Sequence, residues 1–244
     1  MTGVILAAGY ATRLYPLTLE RPKALLEVGG RPILEHLLDR LAPIGLEHVY
    51  VVTNAKFAPQ FREWAAGRAE VTVVDDGTSS DETRLGAIGD LALVIEREQL
   101  DDDLLVAAGD SLFSESLEGF GRCCAGRETP VVAVYDAGSL EAIRRYSSIV
   151  VDANGRITAF EEKPAAPKST LTAIALYYYP RAVLPLVRRY LDEGNNPDQP
   201  GRLVEWLYPR VPVYTWAVPG RWFDIGSPET LREADAAFTN AAQI

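Results

Sequence analysis

The sequence predicts an α/β fold, a mostly parallel sheet flanked by helices, with a small antiparallel lobe. Short apolar runs recur at Gly3–Ala7, His48–Thr53, Val71–Val74, Leu104–Ala107 and Val131–Tyr135, and runs of this length read as strands buried on both faces. Between them lie segments of helical periodicity, such as Ile33–Leu41, Phe57–Trp64 and Ala87–Ile95. Strands that alternate with helices form parallel sheets. After about residue 145 the rhythm changes to Ser148–Val151, Ile157–Glu161 and Leu171–Tyr178, closely spaced strands with Asn154-Gly155 as a hairpin turn signal, which reads as the antiparallel lobe.

Taken in order, Gly3–Ala7 runs directly into Ala8-Gly9-Tyr10-Ala11-Thr12-Arg13, with Arg21-Pro22-Lys23 close behind. A first parallel strand delivers such a loop to the carboxyl edge of the sheet, where small residues let backbone N–H groups approach an anion. Pro32 suits the first turn of the Ile33–Leu41 helix. Leu104–Ala107 ends on Ala108-Gly109-Asp110, so Asp110 is expected at the same sheet edge as the first loop. A helix at Arg181–Leu191, a polar Gly/Asn/Pro loop at Gly194–Gly201 and a closing helix from Pro228 complete the lobe. There is no internal repeat, low-complexity segment or flexible linker. The chain therefore reads as a single domain over 1–244, and the sequence stops soon after the last helix, so no appended β-helix or regulatory domain is expected.

The chain has 244 residues, 48% of them hydrophobic, enough for one large core. A net charge of −10 argues against a nucleic-acid-binding surface. No run approaches ~18 uninterrupted apolar residues and the N-terminus lacks a basic leader, which predicts a soluble cytoplasmic protein with no membrane partner. Cys123 and Cys124 are adjacent and offer neither a long-range staple nor metal-ligand spacing. His36 and His48 stand alone and read as residues with a local partner. The doublets Arg144-Arg145 and Arg188-Arg189 read as solvated faces.

From the residues alone, the first loop with Arg13 and Lys23 is a polyphosphate cradle: Arg suits bidentate phosphate contact and Lys acts as a point charge. An ordinary Gly/Ala turn beside solvated cations is the competing reading. Asp110 at a strand end suits a hard divalent cation, which takes one or two carboxylates plus substrate phosphates.

The whole opening string resembles the signature of the sugar-1-phosphate nucleotidylyltransferases, L-A-[AG]-G-x-G-T-R-L-x-P-L-T followed by P-K, and departs from it at Ala11, where that family usually has Gly. Four further stretches match in the family's order. Thr83–Leu91 is similar to the family's L-G-[TA]-[AG]-G stretch facing the base, Leu104–Asp110 to its strand-end metal carboxylate, Phe160–Pro164 to E-E-K-P, and Arg221–Pro228 to W-x-D-[IV]-G-[TS]-P. The resemblance covers nearly the whole chain. It implies a Rossmann-like fold of the nucleotide-diphospho-sugar transferase type, with residues 1–145 mainly binding nucleotide, 146–220 mainly binding acceptor, and 221–244 carrying a second metal ligand and the closing helix.

On that resemblance the reaction is transfer of a nucleoside monophosphate from a nucleoside triphosphate to a sugar 1-phosphate, releasing pyrophosphate. Arg13, Lys23, Asp110 and Asp224 are the implied catalytic residues, with Mg²⁺ on Asp110 and Asp224. Leu6, Ala7, Ala8, Gly9, Thr12, Arg13, Gly86 and Ala87 are the implied nucleotide contacts. Glu162 is expected to grip acceptor hydroxyls and Lys163 the acceptor phosphate. Ser147 and Ala175 stand where relatives commonly have Gly in the sugar pocket, which makes glucose 1-phosphate a less safe expectation. A transferase for a non-sugar phosphate, of the phosphocholine or inositol phosphate type, and a non-catalytic regulatory relative are the alternatives. The base, the acceptor and the oligomeric state, a homo-oligomer included, stay open.

Two other chemistries fit poorly. Ala11-Thr12-Arg13 breaks the G-x-G-x-x-G of nicotinamide enzymes, and the second strand ends on Thr53-Asn54 without the acidic residue they need. Asp101-Asp102-Asp103 could suggest a glycosyltransferase metal site, but it precedes its strand and so lies at the opposite sheet edge.

Overall fold

The computed structural model describes residues 1–241. Seven strands form the central sheet, in the order Tyr214–Ala217, Val131–Asp136, Leu171–Tyr179, Leu104–Ala108, Thr2–Leu6, Val49–Thr53, Val71–Asp75. Thr2–Leu6 pairs in parallel with both Val49–Thr53 and Leu104–Ala108. Leu171–Tyr179 runs antiparallel to its two neighbours. The apolar runs thus form the predicted strands, and side-chain alternation along them feeds two layers. Val4, Val52, Val74 and Val106 pack on one face with helices Ala87–Arg97, Leu184–Asp192 and Pro200–Leu207. Ile5, Val51, Leu105 and Ala107 pack on the other with Ile33–Leu41, Ala58–Trp64 and Glu118–Cys124.

The lobe differs from expectation in one strand. Ser147–Val151 and Ile157–Glu162 form the antiparallel hairpin, closed where Asp152 accepts from the Asn154 and Arg156 amides, with Gly155 at φ 76°. Leu171–Tyr179, however, lies inside the central sheet, because nearly all of it is apolar enough to be covered on both sides. It keeps a link to the hairpin through Ser147 and Thr172. The polar loop also ends earlier than expected, since Pro200–Leu207 is already helical with Pro in its first turn.

A pairing absent from the sequence reading matters most. Ser111–Phe113 and Trp222–Asp224 form a short antiparallel sheet in which Asp224 lies opposite Ser111. Ser227 and Thr230 exchange hydrogen bonds at the start of the closing helix Pro228–Ala241, and that helix seals a third apolar cluster containing Leu14, Val28, Leu112 and Phe223. Residues 242–244 of the expected closing segment lie outside the described residues.

The isolated residues settle as local structure. His36 Nε2 bonds to the Val28 carbonyl and His48 Nε2 to Thr72 Oγ1, Cys124 is buried, and Asp103 binds the Tyr178 hydroxyl and the Arg181 amide at the amino edge of the sheet. No helix among the described residues is long and apolar enough to cross a membrane.

Candidate active site

Strand order reverses at Thr2–Leu6, which has Val49–Thr53 on one side and Leu104–Ala108 on the other. The crevice outside the carboxyl ends of these strands is where open α/β sheets bind ligands. Leu6 pairs with Ala108, and the Gly109 amide donates to the Leu6 carbonyl at 2.9 Å, so the two loops leave the sheet side by side. A side chain at Gly109 would sit 3.2 Å from the methyl group of Ala7. Gly9 differs: a Cβ there would meet nothing within 4 Å, so open space lies beside this residue. Behind it, buried Asn54 donates from Nδ2 to the Ala8 carbonyl at 2.8 Å. Ala11 adopts φ 48°, the left-handed conformation that favours glycine, and its carbonyl accepts from Thr18 Oγ1 and the Leu14 amide. The turn is therefore kept despite the extra methyl. Thr12 and Arg13 follow, exposed, and Arg13 has no ion-pair partner among the described residues.

Asp110 and Asp224 meet because Asp110 precedes Ser111 and Ser111 pairs with Asp224. Lys23 Nζ lies 2.5 Å from Asp110 Oδ2. Burial, and then the Asp110 charge, raise the Asp224 carboxyl above its ordinary range, against the opposing pull of Lys23, the Tyr146 hydroxyl and Arg13. An all-oxygen pair of close carboxylates that resist sharing one site suits a hard divalent ion such as Mg²⁺, provided phosphate oxygens and water complete its shell. Among the described residues no cluster of three or more His, Cys, Asp or Glu forms a self-sufficient metal cage.

The predicted acceptor residues part company. Glu162 is held over the first turn of the Pro200–Leu207 helix, its Oε2 only 2.2 Å from where a Cβ on Gly201 would lie. Burial pushes its carboxyl up to about 7, with Lys163 and Arg202 opposing and Glu205 adding to the rise. Lys163 is exposed, at φ 50°, with its amide donating to the Tyr146 carbonyl at 2.7 Å. Ser147 is buried, its amide donating to Thr172 Oγ1 and its Oγ accepting from the Ala173 amide. These bonds occupy the groups by which Ser147 could meet a ligand. Ala175 sits where the pairing of Leu171–Tyr179 with Val131–Asp136 shifts register. Tyr146, Trp222, Gly201 and Glu205 lie beside these residues and are not among the expected site members; Trp222 carries no signal beyond its motif context, and Gly201 falls in no motif.

At Gly86 and Ala87 the backbone is already engaged. The Ala87 and Ile88 amides donate to the Asp198 and Pro197 carbonyls at 3.2 and 2.9 Å, and a Cβ on Gly86 would collide with Pro197 at 2.6 Å. Gly86 thus has a packing reason of its own. One turn further, buried Asp90 faces Asp76, which accepts from both the amide and the hydroxyl of Thr78. Burial, then the Asp76 charge, push Asp90 up to about 8.

A family profile described as Nucleotidyl transferase matches residues 2–241. The UTP–glucose-1-phosphate uridylyltransferase AglF of Haloferax volcanii is 26% identical over 236 residues, covering 96% of this chain and 95% of its own. The bifunctional protein GlmU of Methanocaldococcus jannaschii is 25% identical over 235 residues, and there the match covers 96% of this chain but spans only 53% of the relative. A solved UDP-glucose pyrophosphorylase complexed with UDP-glucose superposes with a TM-score of 0.81 at 19% identity, covering 98% of both chains, and shares the fold.

Proposed function

The chain belongs to the nucleotidyl transferase family, and from that membership we propose that it transfers a nucleoside monophosphate from a nucleoside triphosphate to a sugar 1-phosphate. A phosphate oxygen of the acceptor forms a bond to the α-phosphorus, and the bond from that phosphorus to the β-phosphate bridging oxygen breaks, releasing pyrophosphate. The observation that carries this reading is the convergence of the open space beside Gly9, the Lys23–Asp110 pair and Asp224 at the strand-order reversal.

The nucleophile is already anionic, so the protein needs to position it and offset charge rather than remove a proton. The Gly9–Thr12 backbone would cradle the triphosphate, and exposed Arg13 would hold the departing pyrophosphate in a bidentate grip. Lys23, beside Asp110, would place a cation against the phosphates. Lys163, exposed and free of an ion-pair partner among the described residues, would hold the acceptor phosphate. Glu162 would accept hydrogen bonds from acceptor hydroxyls, fixing which oxygen faces the α-phosphorus. Mg²⁺, held by Asp110 and Asp224, would supply charge neutralisation and alignment at the transferred phosphate.

The test is pyrophosphate release from five nucleoside triphosphates crossed with hexose, hexosamine, phosphocholine and inositol phosphate acceptors, with Mg²⁺ present. Turnover confined to one or a few sugar 1-phosphates supports the reading. Turnover only with a non-sugar phosphate, or with none, refutes it.

A further inference from the structure

The geometry points to Tyr146 as a positioning residue that ties the acceptor lysine to the metal-site carboxylate, its carbonyl setting Lys163 and its hydroxyl orienting Asp224. This rests on the roles proposed above for Lys163 and Asp224. Tyr146 lies just before the strand Ser147–Val151, and its two ends act in different directions. Its carbonyl accepts the Lys163 amide at 2.7 Å. Lys163 is one of few non-glycine residues at positive φ, 50°, a backbone that L side chains avoid unless something holds it. That hydrogen bond is such a hold, and it turns Lys163 off the end of the Ile157–Glu162 strand. At the other end, the phenol donates to Asp224 Oδ2 at 3.4 Å.

The ring between them is clamped. Trp222, on the same strand as Asp224, meets the Tyr146 ring edge-on with centroids 5.5 Å apart. Tyr135 also packs against Trp222, with ring centroids 5.9 Å apart. A displacement of the acceptor hairpin therefore carries both Lys163 and the hydroxyl with it.

The two metal-site carboxylates are also supported by different chemistries. Asp110 has a cation, Lys23, at 2.5 Å. Asp224 has a neutral phenol. A hydroxyl donor orients a carboxylate without cancelling its charge, so Asp224 keeps its attraction for a divalent ion while losing rotational freedom.

Tyr146→Phe deletes the hydroxyl and keeps the ring and the backbone bond to Lys163. Binding of Mn²⁺, used as the probe and read by electron paramagnetic resonance on the protein with a non-hydrolysable triphosphate, is expected to weaken about 10-fold, the size typical of lost outer-shell support. The kcat for pyrophosphate release should fall similarly, with acceptor KM within about 2-fold. In an Asp224→Asn background the same change should cost Mn²⁺ affinity nothing further. Unchanged Mn²⁺ affinity in Tyr146→Phe overturns the inference, as does an equal Mn²⁺ loss in both backgrounds. A defect confined to acceptor KM also overturns it, because the hydroxyl would then be an acceptor contact. The Mn²⁺ measurements need no turnover, so they judge this link even if no sugar 1-phosphate is a substrate.

Discussion

Replacing Gly201 with Ala separates stability from function. The new Cβ would lie 2.2 Å from Glu162 Oε2, 3.2 Å from its Cδ and 3.4 Å from Phe160 Cζ. Phe160 is buried and cannot retreat, whereas Glu162 ends in a flexible carboxylate, so Glu162 gives way. Gly201 does not have positive φ, and Ala in a helix is favoured over Gly by up to about 1 kcal/mol. The fold should therefore be as stable as before or slightly more so. The carboxylate, however, is pushed from its place over the helix, and a hydrogen bond to a charged group is worth about 1.5–3 kcal/mol. Gly201→Ala should accordingly raise acceptor KM by roughly 10- to 100-fold, with triphosphate affinity and melting temperature preserved. Steady-state pyrophosphate release at varied acceptor, with calorimetric triphosphate titration and a thermal melt, checks this. A stable variant with unchanged acceptor KM would show that the placement of Glu162 does not govern acceptor binding.

Three further expectations concern the metal, the leaving group and pH. Asp110→Asn should lower kcat at least ~100-fold, as for loss of one preorganised electrostatic group; full turnover by it, or by wild type in excess EDTA, would remove the metal from the reaction. Arg13→Lys keeps charge but loses the planar fork, so kcat should drop well beyond any change in acceptor KM; an unchanged kcat with raised acceptor KM would move Arg13 to the acceptor. Asp90, pushed up to about 8, keeps its proton in the fold and loses it near pH 4 when unfolded, so its contribution to stability is fully present below about pH 4 and lost as pH rises to about 8, at up to ~1.4 kcal/mol per pH unit. Urea unfolding of Asp90→Asn at about pH 5 and about pH 8 should show a flatter pH slope than wild type, and parallel slopes would contradict it.

The parallel core was legible because strands buried on both faces leave uninterrupted apolar runs, and Leu104–Ala108 and Thr2–Leu6 need no partner information to be read. From sequence Leu171–Tyr178 reads as part of the lobe because it follows the hairpin closely, and only pairing with distant Leu104–Ala108 and Val131–Asp136 draws the strand into the central sheet. The meeting of Asp110 with Asp224 was readable only through resemblance. The three-residue strands that achieve it are too short for a periodic signal, and their pairing is non-local. Ser147 carries no mark of its burial, since a serine bonded to Thr172 reads like one facing a ligand. The same holds for Gly201, whose need for a bare Cα comes from Glu162 across the fold, and for Asp90, an acid in an otherwise apolar helical stretch.

The place of Leu171–Tyr179 in the sheet has a kinetic consequence. The strands Thr2–Leu6, Val49–Thr53, Val71–Asp75 and Leu104–Ala108 can assemble as soon as the first part of the chain is made, each beside a partner already present. Val131–Asp136 has no such neighbour: its sheet partners are Leu171–Tyr179 and Tyr214–Ala217. Until Leu171–Tyr179 arrives, Leu104–Ala108 presents an apolar open edge and Val131–Asp136 has no place in the central sheet. Pairings of such sequence separation are slow to close, and bare edges invite pairing between chains. On the ribosome or after denaturation, this one antiparallel strand is the keystone: the half carrying the Gly9 loop waits, edge exposed, for the residue stretch that fastens the other half to it.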